Sequence, residues 1–158
     1  MPAGRVTSFP AHTAQDPGFE ARVRASFARQ RFMATIGARL VRVGPGEVDI
    51  ELAVREELTQ QHGFLHAGAL AAAADSACGY AALSLMPAGA AVLSVEFKIN
   101  LLAPAAGDRV VARGRVIRAG KTVTVCWGDV TAYAGDTERL VATMVGTMMT
   151  VRDRGLTD

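Results

Sequence analysis

Residues 60–80 read QQHGFLHAGALAAAADSACGY, and the fold turns on this stretch. From Ala67 onward it is dominated by alanine, the strongest helix former. The run continues to Leu85, where Pro87 and Gly89 stop it. The pattern predicts a helix over about 67–85, apolar on nearly every side and therefore buried. Asp75 is the only Asp, Glu, Lys or Arg between Glu57 and Glu96. A carboxylate in a buried helix costs free energy unless it is partnered or protonated. Its neighbours one turn away, Ala71, Ala72, Cys78 and Gly79, offer no countercharge. Burial without a cation raises a carboxyl pKa, which makes Asp75 a candidate base or nucleophile.

Elements on either side supply the partners of that helix. Residues 1–17 carry Pro2, Pro10 and Pro17 and read as a flexible tail. Phe19, Val23 and Phe27 recur at helical spacing, predicting one amphipathic helix over 18–36. Leu40 to Val43, the turn Gly44-Pro45-Gly46 and the alternating Val48, Ile50, Leu52 and Val54 read as a hairpin. After the long helix the period changes to two. Leu93, Val95, Phe97, Ile99 and Leu101 alternate with Ser94, Glu96, Lys98 and Asn100. Strands follow over 109–118, 121–133 and 138–151, separated by Ala119-Gly120 and Ala134-Gly135-Asp136. The expected class is α+β: one domain over 18–152, with a long central helix inside a curved antiparallel sheet of about six strands. Residues 153–158 form a short C-terminal tail.

Composition narrows the function. The formal net charge of +2 is too small to argue for nucleic acid. Two cysteines, Cys78 and Cys126, do not make a disulfide framework and suit reduced thiols in the cytoplasm. No continuous apolar block near the N-terminus suggests a secretory signal. The one candidate membrane span, 67–86, is mostly alanine, and Asp75 at its centre would cost about 2.5–3.5 kcal/mol, so no membrane is expected.

Spacing restricts the chemistry further. His66 lies nine residues before Asp75, roughly 13 Å along a helix. The two cannot meet on one helix. If both serve one site, a second copy of the chain must bring them together, which implies a homo-oligomer. Otherwise His66 is a helix-start residue with a local hydrogen bond. Residues 63–68 at the helix start leave backbone N–H groups free for an anion or oxyanion. Gly68 would let a ligand approach closely. His62 and His66 do not suit a metal site, because Gly63 keeps them from sharing one helical face. Cys78 reads as an inert buried thiol. Gly120-Lys121-Thr122 resembles the end of a phosphate loop, but Arg115 stands where its first glycine belongs, so it reads as a hairpin turn. Arg109, Arg113, Arg115, Arg118 and Lys121 form either a solvated strand face or a surface for a phosphate-bearing ligand.

His66-Ala67-Gly68 followed by Asp75 resembles the H-G-G-x5-A-D pattern of hotdog-fold acyl-CoA thioesterases of the phenylacetate-degradation (PaaI-like) type. Residues 92–104, VLSVEFKINLLAP, resemble that family's central strand, and Gly107-Asp108 and Gly120-Lys121 fall at its turns. The resemblance covers roughly residues 35–151. It implies a hotdog fold, an acyl-CoA substrate, no metal or other cofactor, and a homodimer or homotetramer with sites between subunits. It implies Asp75 as nucleophile or general base and the Ala67 backbone N–H as the donor to the thioester carbonyl. By the same resemblance His66 supports that loop, Gln60 helps hold the water or carbonyl, and Ser94 assists. Gly68, Arg115 and Lys121 are then the candidate substrate-binding residues. Two departures stand out: Ala67 replaces a glycine, and Ala73 replaces a common leucine, which would widen the space near Asp75.

Two rivals remain. A non-catalytic acyl-CoA-binding module would gain nothing from a carboxylate beside an apolar acyl chain. An enoyl-thioester hydratase would carry His five residues after the Asp, where this chain has Tyr80.

Overall fold

The computed structural model describes residues 8–156 and residue 158. Its elements run α1 (Phe19–Arg29), α2 (Arg31–Ile36), β1 (Ala38–Gly44), β2 (Glu47–Ala53), a 3-10 turn (Glu56–Leu58), α3 (Ala67–Leu83), β3 (Ala91–Leu101), β4 (Arg109–Ala119), β5 (Val123–Ala134) and β6 (Thr137–Val151). The six strands form one sheet in the order β1-β2-β4-β5-β6-β3, every pair antiparallel. The sheet curls around α3, giving the hotdog architecture. Twelve of the 17 residues of α3 are buried, so the helix forms the core instead of resting on one.

Small side chains permit that enclosure. Gly114 of β4 lies directly beneath α3: a Cβ there would sit 2.3 Å from the backbone carbonyl of Ala77. Its cross-strand partner is Gly128, whose own added Cβ would come 3.0 Å from Cys78 Sγ. Ala74, Ala77 and Cys78 face these glycines, and they and Ala73 are fully buried. The Ala73 departure therefore faces packing. Burial pushes the Cys126 thiol up to about 12 and the Cys78 thiol well above its ordinary value, so neither supplies a thiolate.

The structure corrects three expectations. The single helix over 18–36 is two helices, because Gln30 adopts an extended backbone between them. Of these, α1 buries Val23 and Ser26, and α2 buries Met33 and Ile36. Of the expected flexible tail, residues 1–7 lie outside the described residues. The remainder is tied down: His12 Nε2 bonds the Val116 carbonyl at 3.0 Å and Gln15 Nε2 donates to the Leu85 carbonyl at 2.9 Å. The third correction concerns β3. Strict alternation would put Ser94 opposite Phe97, but a bulge shifts the register between Ser94 and Glu96. Ser94 pairs with Met148, Phe97 with Gly146 and Ile99 with Met144, all buried positions of β6. Cross-strand partners share a face, so Ser94 and Phe97 lie on the same face of β3.

The long helix ends at Leu83, two residues before the expected stop. Arg22 of α1 donates to the carbonyls of Leu83, Met86 and Pro87 at 3.1, 2.7 and 2.6 Å. A cation there satisfies orphan carbonyls and complements the helix dipole.

Candidate active site

Asp75 lies in the middle of α3 and is half-buried. The Ser94 hydroxyl donates to Asp75 Oδ1 at 2.7 Å, across from β3. Burial raises the Asp75 carboxyl above its ordinary value, and the Ser94 hydrogen bond holds it partly back. No cation pairs with Asp75 among the described residues. The result is a carboxylate more basic than a free one, held in a fixed orientation.

Both side chains open onto a cavity of about 130 Å³. Ser76, Gly79 and Tyr80 of α3 form one wall, with Val92, Gln30 and Asp158 around the rest. Gly79 is one turn beyond Asp75 on the same helix face, and a Cβ added there would meet nothing within 4 Å. The expected room beside the helix is therefore at Gly79. A larger cavity of about 260 Å³ lies at the C-terminal end of α3 against Ala82 and Leu85, with Lys121, Thr124, Thr150 and Arg152. Its lining includes no carboxylate, whereas the smaller cavity is lined by Asp75 and Asp158.

The start of α3 carries the remaining predicted residues. His66 is the N-cap, and its Nδ1 accepts from Gly68 N–H at 2.9 Å. That is the local bond weighed as its alternative role. The ring folds back close to Gly68, where an added Cβ would lie 3.0 Å from Nδ1. The His66 carbonyl accepts from Ala69 and Leu70. Ala67, first residue of the helix, is left with an N–H that has no acceptor among the described residues. Its backbone is right-handed, so replacing glycine there carries no φ penalty. Gln60 turns inward on its own loop: its side-chain oxygen accepts from His62 N–H and its backbone carbonyl from Gly63. His62 lies on that loop, ahead of the helix.

Two groups thus stand apart. Asp75 and Ser94 share a cavity, while Ala67, His66, Gly68 and Gln60 cluster at the start of α3. From Ala67 to Asp75 is eight residues, about 12 Å along the helix. The basic candidates also differ from one another. Arg115 lies 2.7 Å from Asp49 with both side chains largely covered, and it donates to the carbonyls of Gly114 and Val48. Lys121 is exposed at the β4–β5 turn. Sequence reasoning missed Gln30, Ser76, Val92 and Asp158. Ser76 was one step from Asp75 in the chain, but nothing marked the other three, which reach the cavity from distant elements.

Among the described residues no helix is long and apolar enough to cross a membrane. Residues 62–139 match the family described as the thioesterase superfamily. The chain is similar to human acyl-coenzyme A thioesterase 13, 33% identical over 122 residues that span 76% of this chain and 85% of that protein. Across the relatives matched by sequence, the chain spans 64–85% of their length. A crystal structure of a thioesterase family protein from Silicibacter pomeroyi is 50% identical, with a TM-score of 0.84, and covers 85% of this chain and 99% of that one. The PaaI protein of the E. coli phenylacetic acid degradation operon shares the fold at 22% identity and a TM-score of 0.76, over 84% of this chain and 93% of that one. With this fold, a half-buried carboxylate facing a cavity, and a relative one-third identical over most of its length, the chain belongs to the thioesterase superfamily.

Proposed function

We propose that this protein hydrolyses acyl-CoA thioesters to a carboxylic acid and free CoA, with Asp75 as the catalytic carboxylate. The observation that carries this reading is the Ser94–Asp75 pair at 2.7 Å, facing a cavity. Asp75 acts as general base or as nucleophile. As base it takes a proton from water while the water oxygen attacks the thioester carbonyl. The tetrahedral intermediate then expels the CoA thiolate, which takes up a proton. The Ser94 hydroxyl keeps the carboxylate ionised and aimed. The raised pKa makes it a stronger base than a solvated aspartate.

The intermediate's oxyanion needs a donor. Ala67 N–H is the free donor at a helix N-terminus, about 12 Å from Asp75 on its own helix. The site is therefore completed by the Ala67 N–H of a second copy of the chain. β3 supports such an assembly: it is one of the two edges of the sheet, eleven residues long, with Leu93, Val95, Phe97 and Leu101 exposed. An apolar open edge is a template for strand pairing, and a homodimer through β3 would cover it. His66, by occupying Gly68 N–H, leaves the Ala67 N–H for the carbonyl, and Gln60 braces the same loop. Lys121 serves the CoA phosphates better than Arg115, whose guanidinium is engaged by Asp49 and two carbonyls. Two reduced, buried thiols suit work in the cytoplasm.

The test is CoA release from a panel of aromatic and aliphatic acyl-CoAs, with wild type and Asp75→Asn side by side. Release by wild type and its loss in the variant are expected. Near-normal turnover by Asp75→Asn removes the assigned role. Saturable binding with no release by wild type favours the binding module.

A further inference from the structure

The cavity beside Asp75 is lined in part by Asp158, from the far end of the chain. Asp158 accepts two hydrogen bonds at 2.8 Å, from Ser26 Oγ of α1 through Oδ1 and from Val92 N–H of β3 through Oδ2. Ser26 is buried, and its hydroxyl lies 3.4 Å from that of Tyr80. Asp158, Ser26 and Tyr80 thus form a polar plate linking α1, α3 and β3. Phe27 packs edge-on against the Tyr80 ring, with centroids 5.7 Å apart, and stiffens it. On the helix side the cavity is open at Gly79, about 6 Å along the axis from Asp75. A chain leaving the reacting carbonyl at Asp75 would run along Gly79 and end against this plate. The volume of about 130 Å³ is close to that of a cavity which accepts benzene, about 150 Å³.

We propose that Asp158 is a specificity-determining residue: bridging Ser26 and Val92, it floors the acyl cavity and restricts the enzyme to acyl groups of about ring size. The proposal rests on the thioesterase reading for its substrate and on the Asp158 bridge for its geometry. A longer aliphatic chain would have to displace a carboxylate held by two hydrogen bonds. Replacing that carboxylate by a hydrogen atom would leave Ser26 and Tyr80 hydrogen-bonded to each other and the space between α1 and β3 open to a longer chain.

The experiment measures kcat/KM on straight-chain acyl-CoAs from acetyl to palmitoyl with wild type, Asp158→Gly, Asp158→Asn and Ser26→Ala. Each methylene that gains burial contributes about fourfold, from about 0.8 kcal/mol per CH₂. Asp158→Gly is expected to raise the dodecanoyl-to-butanoyl ratio at least tenfold. Asp158→Asn, whose amide oxygen still accepts from Val92 N–H, is expected to keep the wild-type ratio. Ser26→Ala is expected to move the ratio in the direction of glycine, and it carries the test if Asp158→Gly does not fold. An unchanged ratio in the glycine and alanine variants overturns the proposal. Dissociation constants for the matching non-hydrolysable acyl-CoA thioethers separate this result from the function. If wild type cleaves no thioester, the enzymatic reading fails, and the same ratio taken from dissociation constants supports or overturns the floor.

Discussion

Gly114→Ala tests whether the packing of α3 holds the site together. The added methyl would lie 2.3 Å from the Ala77 carbonyl carbon and oxygen and 2.6 Å from Cys78 N. Comfortable carbon contacts begin near 3.5 Å, so helix and sheet must separate by roughly 1 Å. All three clashing atoms are backbone inside the helix and cannot swing aside. The φ of Gly114 lies outside the left-handed region, so alanine brings no torsional penalty there. It even gains about 0.4–1 kcal/mol by restricting the unfolded chain. Overpacking of this kind costs about 1–3 kcal/mol, and the net expectation is a loss of about 1–2 kcal/mol. The functional effect is larger. Asp75 lies two residues from Ala77, so the same displacement lengthens the 2.7 Å bond to Ser94 beyond hydrogen-bond range. A misplacement of about 1 Å costs roughly 10²-fold in rate. Gly128→Ala is the control, since its methyl meets a thiol side chain at 3.0 Å that can shift by a few tenths of an ångström. Urea unfolding and kcat/KM on the best acyl-CoA should rank wild type, Gly128→Ala and Gly114→Ala in that order. A Gly114→Ala protein with wild-type midpoint and turnover would refute the claim that close contact between α3 and β4 positions the carboxylate.

Other expectations concern charge and assembly. Asp75→Asn should lower kcat/KM by about 10²–10⁴-fold yet raise the melting temperature at neutral pH. Burial raises the folded carboxyl, so the stability Asp75 contributes is full below its unfolded value and is lost as pH rises through the folded one. Melting curves of both proteins should converge toward acid pH, and a gap that widens there would contradict the assignment. Ser94→Ala removes the hydrogen bond that lowers the Asp75 carboxyl, so the acid limb of the kcat/KM profile should move to higher pH. A limb that stays in place or moves down would show that Ser94 does not tune the base. Phe97→Glu places a charge at the open β3 edge. Sedimentation equilibrium should show monomer, with thioester hydrolysis lost, and a fully active monomer would exclude a shared site.

The sequence made the core legible because the signal there is composition: no other segment is so rich in alanine, and its lone carboxylate stood out. The hairpin and the later strands were legible through alternation and glycine turns. The break at Gln30 was not, because glutamine is a good helix former and carries no stop signal, so its extended backbone has no mark in the sequence. The Asp75–Ser94 pair was half legible. Resemblance brought both residues forward, yet period-two reading put Ser94 on the wrong face, since a bulge has no composition of its own. Asp158 was invisible because nothing in a chain of letters shows that residues 132 positions apart share a proton.

That bulge has a consequence for how the site can change over time. Val95 is the unpaired residue of that bulge, and its side chain can be exchanged for another apolar one. Its presence as a residue cannot. Removing it would restore plain alternation, and one half of β3 would have to rotate by a full face. Either Ser94 would leave Asp75 or Phe97, Ile99 and Leu101 would switch to the other face of the strand. Between Ser94 and Glu96 the chain is therefore permissive to spelling and intolerant of length, so insertions and deletions, far more than substitutions, would silence this enzyme there.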